Sequence, residues 1–456
     1  MMMANSYTAT SFLDNYPDTV AVDVLITDTS GILRGKRIHV SMLDKVLQEG
    51  IRLPGSMFSM NVQGEIVYDT QFILEEGEAD RLCIPIPHTL APTPWSNQAI
   101  AQVLTTMVEP NGQGFFADPR QVLATVLKTL EAKGLHPMVA VELEFYLLDR
   151  ERDADGALQP GRSLLTGRRQ QQNQVYSMSE LDDVSPILQD MVQACDGQGI
   201  KTHTIVAESA SGHFEINLDH LPNVLDAADK AVMFKRVVKG VAAQHGMDAT
   251  FMSKPFALRS GSGMHVHISL MDEDGKNVFA SDETPLGSEI FHWAIGGLCQ
   301  VMPESMAVFA PNANSFRRYK DRAFVPLAPC WGLNNRTTAL RVPMGGADAT
   351  RVEHRVPGAD ANIYLVIAAM LAGIDYGITH QSEPPLPADG NAYDQYPPSL
   401  PRTWQDALRA FDQGRILPTY FGKDYCFVYG QCKWAEYRTF NDYVTPLELD
   451  WYLYSV

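Results

Sequence analysis

Apolar and polar positions alternate with period two along Val139 to Leu148. Val139, Val141, Leu143, Phe145 and Leu147 form one face of a predicted strand, and Glu142 and Glu144 share the other. Ala140, Tyr146 and Leu148 lie on that second face too, so it is not a plainly solvated one. The pattern recurs after the turn Glu208 to Gly212, where Phe214, Ile216 and Leu218 oppose His213, Glu215 and Asn217. It recurs again after Gly261-Ser262-Gly263, where Met264, Val266 and Ile268 oppose His265, His267 and Ser269. In Arg351-Val352-Glu353-His354-Arg355 the two arginines and Glu353 share a face, and Arg336 and Arg341 lie shortly before them.

Helical spacing appears between these segments. Asp118-Pro119-Arg120 reads as an N-cap followed by proline at the first helical position, opening a helix that runs to Gly134. Asp182 to Gly197, Val224 to His245 and Asn362 to Gly377 read as further helices. Nearer the start, Val20 to Asp28 and Arg37 to Val40 flank the turn Asp28-Thr29-Ser30-Gly31 as a hairpin in a strand-rich unit. Turn residues cluster in Pro85 to Pro94 and in Pro110-Asn111-Gly112, which places a domain boundary near residue 114, between residues 1–113 and 114–456. Pro384 to Pro401 reads as an exposed loop.

Composition narrows the function. The chain has 456 residues, 45% hydrophobic and 20% charged, with 36 basic and 54 acidic side chains and hence a net charge of −18. So acidic a surface repels a phosphate backbone and favours cationic small molecules, so no nucleic-acid partner is expected. The start, Met1 to Ser11, has neither a basic head nor an apolar run, and the most lipophilic stretch, Ile363 to Ile374, is short and followed by Asp375. A cytoplasmic protein with no membrane insertion is expected. The six cysteines form no CxxC or CxxH pair, which fits a reducing compartment and small buried side chains.

Any one of the polar strand faces has a bland explanation, a solvated sheet face or a surface lattice of ion pairs. Together, several acid-bearing strands and an arginine cluster supply the ingredients for divalent metal with polyphosphate. Oxygen ligands with an imidazole suit Mg²⁺ or Mn²⁺, and arginines stabilise a transferring phosphoryl group. Gly31 to Arg37 lacks the spacing and the Ser or Thr of a P-loop, and no GxGxxG follows a strand, so a nucleotide must be held another way.

Six segments occur in the order found in one family: Val141 to Phe145, Glu208 to Glu215, Gly261 to His267, Asn314-Ser315-Phe316-Arg317-Arg318, Asn335-Arg336 and Arg351 to Arg355. From about Val20 onward the chain resembles glutamine synthetase of the bacterial type. The resemblance implies an α+β fold, a small β-grasp-like N-terminal domain followed by a catalytic domain with a curved antiparallel sheet and flanking helices. It implies a homododecamer of two stacked hexameric rings with sites between neighbouring subunits. By position, Glu144, Glu208 and Glu215 match ligands of one divalent metal, and Glu142, His265 and Glu353 ligands of the other. His267 and Ser269 match contacts to ATP; Gly261, Arg318 and Arg355 match residues that hold glutamate; Arg336, Arg341 and Arg351 match those that grip the transferring phosphate. The implied chemistry has two steps: ATP phosphorylates the γ-carboxylate of glutamate, and a nitrogen nucleophile then displaces phosphate.

One departure bears on that nucleophile. Glutamine synthetases carry a glutamate six residues after the arginine matching Arg318, where it serves ammonium; here Phe324 stands there. Leu53 to Ser59 occupies the region where the N-terminal domain is expected to supply a second acid in a Phe-Asp-Gly-Ser-Ser motif. A phenyl ring suits the carbon chain of an alkylamine or its cation. The pattern is similar to the glutamate–amine ligases, γ-glutamylpolyamine synthetases among them, and Trp331 fits that branch. The expected partners are therefore glutamate and an amine, mono- or polyamine. The alternatives are a glutamine synthetase using ammonia and a ring-forming homologue without catalysis. Tyr393, near the tyrosine that some family members modify, reads as an ordinary loop residue, and the apolar tail Thr445 to Val456 is expected to pack on a neighbouring subunit.

Overall fold

The alternating segments become strands of two sheets. In the computed structural model, which describes residues 8–71, 77–170, 172–281, 283–284 and 286–456, the first sheet contains β1 (Ala21–Thr27), β2 (Leu33–His39), β3 (Ile51–Pro54), β4 (Asp80–Pro85), β5 (Ala91–Pro92) and β6 (Ile100–Val108). Its order is β2-β1-β6-β4-β3, with β5 paired to β6. The predicted hairpin is present: β1 and β2 are antiparallel, and Asp28 Oδ1 closes the turn by accepting the Ser30 and Ile32 N–H groups, each at 2.9 Å. β1 and β6 run parallel. Helices Ala9–Asn15 and Leu43–Glu49 bury Phe12, Leu43 and Val46 against Val22, Val24 and Val103.

The second sheet comprises β7 (His136–Asp149), β8 (Thr202–Ala207), β9 (His213–Leu218), β10 (Met247–Thr250), β11 (Met264–Met271), β12 (Trp331–Leu333), β13 (Leu340–Val342) and β14 (Val352–His354). The order is β12-β13-β14-β11-β7-β9-β8, with β10 on β7. Every pairing is antiparallel except β12 with β13. The mixed helix and sheet architecture anticipated from the sequence is present, with a parallel edge that strand periodicity does not reveal. Leu25 and Leu104 of the first sheet, with Ile86 just after β4, join the main core formed by the second sheet and its helices.

The helix Pro119–Glu131 begins as expected, with Asp118 Oδ1 accepting the Arg120 N–H at 2.8 Å. The single helix expected over Asp182 to Gly197 is instead two, Met178–Asp183 and Ser185–Gly197. Val184 leaves the helical region with φ −117°, and Pro186 has no N–H to continue an earlier helix but is tolerated in the first turn of a new one. The helix expected to end at Gly377 runs on to His380, which makes Ile363–His380 long and apolar enough to cross a membrane, whereas the sequence stretch looked too short. It is instead a core helix, 78% buried. Glycines let it approach the helix Glu289–Phe309 closely: a Cβ on Gly297 would lie 2.0 Å from the Gly373 carbonyl oxygen.

Glu304 on the helix Glu289–Phe309 is buried and binds the start of the helix Leu417–Phe421. It accepts the Arg415, Ile416 and Leu417 N–H groups at 2.6, 3.4 and 2.7 Å. Glu304→Ala leaves those donors without a partner and is expected to cost about 3 kcal/mol in urea unfolding. A loss below about 0.5 kcal/mol would mean that water replaces the carboxylate there.

Candidate active site

Strand register brings the polar residues together. Across β7 and β11, Glu142 faces His265; across β7 and β9, Glu144 faces Glu215 and Glu142 faces Asn217. Across β11 and β14, His267 faces Glu353, which also faces Arg341 of β13. Because residues directly opposite on one face lie about 5 Å apart, these pairings gather acids, imidazoles and guanidinium groups from five strands into one cluster.

Among the described residues, two groups of ligand atoms converge within 4.8 Å: Glu142 with Glu215 and His265, and Glu142 with His267 and Glu353. Glu142 is common to both. Its Oε1 accepts from Asn217 Nδ2 at 2.7 Å and lies 3.0 Å from His267 Nε2, while Oε2 lies 3.4 Å from His265 Nδ1. Glu144 Oε2 accepts the Gly263 N–H at 2.9 Å, and Oε1 lies 3.9 Å from His265 Nε2. Apart from His267, every residue of the two groups belongs to the ligand set implied by resemblance.

The charges explain why such a cluster calls for a cation. Burial raises Glu215 well above the ordinary carboxyl range, and Glu142, Glu144 and Glu208 push it the same way. Burial and the neighbouring Glu144 likewise raise Glu208. Burial also acts against the charge on Glu142, but hydrogen bonds from His265 and His267 more than offset it and hold that carboxyl low. Glu353 is buried as well, yet Arg355, His265, His267 and Arg341 hold it at about 2. Several carboxylates with one or two imidazoles fit a hard divalent ion, Mg²⁺ or Mn²⁺.

The arginines stand on the adjoining side. Arg341 donates to Glu353 Oε2 at 2.6 Å and to Asn334 Oδ1 at 2.8 Å; Arg355 pairs with Glu353 Oε1. Arg351 Nε donates to His267 Nδ1 at 3.2 Å, which leaves the His267 proton on Nε2, facing Glu142. Arg336 is exposed and donates to Tyr176 Oη at 2.9 Å. Arg318 is buried and donates to the Val356 and Pro357 carbonyls at 2.7 and 3.1 Å. Glycine is required beside it: a Cβ on Gly261 would lie 2.5 Å from the Ser253 oxygen, and one on Gly263 2.6 Å from Arg318 Nη2. Ser269 is buried on β11, two residues beyond His267 on the same face.

Phe324 is 64% exposed and at φ +55°, in a short turn where Arg322 shares the left-handed conformation. Gly55 to Ser59 is buried with Phe58 and Phe115 in the first sheet's core, so that segment offers no acid to this site. Trp331 is also internal, its Nε1 donating to the Pro385 carbonyl at 2.6 Å. Tyr393 is half-buried in a short helix, Ala392–Gln395, within the segment expected to be an exposed loop, and donates to the Val325 carbonyl at 3.1 Å. Tyr176 and Asn334 escaped sequence reasoning because neither lies in a periodic segment; Asn217 did lie on the polar face of β9 and went unassigned.

Residues 116–452 match the family described as glutamine synthetase, catalytic domain. The chain belongs to the glutamine synthetase family. Within that family it is 44% identical over 442 residues to gamma-glutamylputrescine synthetase of Escherichia coli, covering 97% of this chain and 93% of that protein. It is 32% identical to glutamate–isopropylamine ligase of a Pseudomonas species, covering 96% and 95%. Among solved structures, GmaS in complex with ADP superimposes with a TM-score of 0.84 at 27% identity, covering 98% of this chain and 99% of that one.

Proposed function

We infer that this chain is an ATP-dependent ligase joining the γ-carboxylate of glutamate to an organic amine, with release of ADP and phosphate. The observation that carries this reading is the likeness to two amine ligases over nearly the whole chain, combined with Phe324 at the position where glutamine synthetases serve ammonium. A diamine such as putrescine is the first choice of amine, given the 44% identity to the putrescine enzyme.

We assign Glu144, Glu208 and Glu215 to one divalent ion and Glu142, His265 and Glu353 to the other. Bound Mg²⁺ or Mn²⁺ would neutralise charge on the phosphates and polarise the transferring group. Arg318, Arg355 and the close backbone at Gly261 would orient glutamate, while His267 and Ser269 would contact the nucleotide. A γ-carboxylate oxygen attacks the γ-phosphorus of ATP and ADP leaves. The neutral amine then attacks the γ-carbonyl carbon of the glutamyl phosphate, phosphate departs, and the nitrogen loses a proton. Arg336, Arg341 and Arg351 would stabilise charge on the phosphoryl oxygens in both steps.

Residues 1–113 are taken as a β-grasp-like domain and 114–456 as the catalytic domain of a cytoplasmic homododecamer with sites between subunits. The exposed Phe324 ring and the exposed apolar residues Leu447, Leu449, Trp451 and Tyr454 support an assembly that covers them.

Mass spectrometry of products from ATP, glutamate and a mixed pool of amines tests the activity; glutamine as the dominant product would overturn the amine assignment. Phe324→Glu is expected to raise kcat/KM for ammonia relative to the preferred amine by about tenfold or more. An unchanged ratio would detach Phe324 from nitrogen selection.

A further inference from the structure

His213 belongs to neither set of assigned ligands, yet it touches the environment of three of them. Its carbonyl accepts the Glu208 N–H at 2.8 Å, it precedes Glu215 by two residues on β9, and its ring reaches Glu144. The ring is 1% exposed and stacks on Tyr146, with centroids 4.3 Å apart and planes 7° apart. Nε2 lies 3.4 Å from Glu144 Oε2 and 3.2 Å from Ser262 Oγ.

The turn before it is tightly determined. Gly212 has φ +74°, and a Cβ there would lie 2.9 Å from the Leu147 carbonyl oxygen. The Gly212 N–H donates to the buried Glu180 Oε1 at 2.8 Å, its carbonyl accepts the Leu147 N–H at 2.8 Å, and the His213 N–H donates to the Ala210 carbonyl at 2.9 Å. Backbone contacts and the Tyr146 stack therefore fix where the imidazole lies.

The ring's proton has one well-served location. Nδ1 is buried with no hydrogen-bond partner, so a proton there would be stranded, whereas on Nε2 it reaches Glu144 Oε2 and Ser262 Oγ. Glu144 Oε2 also receives the Gly263 N–H at 2.9 Å. With Oε2 bonded by the Gly263 N–H and approached by His213 Nε2 at 3.4 Å, Oε1 is the oxygen freer to bind a cation.

We propose that His213 is a positioning residue for the metal site: its Nε2–H holds Glu144 Oε2, so that Oε1 is presented to a divalent ion. The proposal rests on the reading of Glu144 as a metal ligand. Partners that orient a ligating carboxylate typically affect metal affinity by about 10–100-fold when removed.

Mn²⁺ binding to the full chain without nucleotide, followed by electron paramagnetic resonance of the free ion, separates the two ideas. H213F keeps a flat ring on Tyr146 but has no N–H, while H213Q places an amide N–H near the former Nε2. H213F is expected to weaken one class of Mn²⁺ sites by about 10–100-fold, and H213Q to stay within about threefold of the parent. If E144A weakens that class but H213F does not, the positioning role is overturned and the ligand reading stands. If E144A has no effect, the ligand reading itself falls. Equal weakening in H213F and H213Q, with equally lowered metal-free melting temperatures, would assign His213 to packing alone. Should H213F not fold, H213N, whose amide is too short to reach Glu144, supplies the same comparison.

Discussion

Glu353→Gln is expected to lower kcat for ligation by at least about 10³-fold while the chain still folds. Glu353 is 1% exposed and central to the charge arrangement: Arg341 donates to one of its oxygens and Arg355 to the other, and His265 Nδ1 lies 3.7 Å away. Glutamine preserves volume but removes the negative charge that balances two guanidinium groups and would bind a metal. One misplaced or missing stabilising group typically costs about 10²–10³ in kcat, and this substitution disturbs both an assigned ligand and the arginines expected at the phosphate. Rates at saturating ATP, glutamate and amine, with circular dichroism as the folding check, measure it. A fall below about tenfold would remove Glu353 from the phosphoryl-transfer machinery.

A large effect on stability is expected at Asp229. Asp229→Ala should destabilise the chain by about 3 kcal/mol, because it strands a largely buried guanidinium. Arg120 grips the fully buried Asp229 in bidentate fashion at 2.8 and 2.9 Å, and Tyr364 Oη donates to the same carboxylate at 2.7 Å. The three side chains join the helices Pro119–Glu131, Val224–Gln244 and Ile363–His380 beneath the second sheet. Desolvation opposes burial of such a pair, so its removal as a unit should be milder than its disruption. An R120M/D229L/Y364F triple variant is expected to recover most of the loss, since a matched apolar set leaves no group unsatisfied. Urea unfolding of both variants checks this; a triple variant no more stable than D229A would show that the network carries more than its charge balance.

The acids of β7 and β9 were legible because period two forces alternate side chains onto one face, whatever the rest of the chain does. The same logic grouped His265, His267 and Ser269, and Arg351 with Glu353 and Arg355. It failed where the backbone leaves regular structure. Phe324 marked a departure from the family's residue at that position, but nothing in the spacing indicated that its ring would stand exposed on a left-handed turn. Helical periodicity across Asp182 to Gly197 likewise concealed the break at Val184, because apolar residues continue in phase on either side of it.

By itself the sequence determined which side chains share a strand face, where the helices at Pro119, Val224 and Ile363 start, and that acids, imidazoles and arginines suited to metal and phosphate are all present. Those properties depend on local geometry and composition. Tertiary structure alone decided the cross-strand register that sets Glu142 against His265 and His267 against Glu353, and the placement of His213 against Glu144. Register depends on contacts between segments far apart in the chain, as Glu142 and His265 are, where a slip of one residue would turn an entire polar face away from the site.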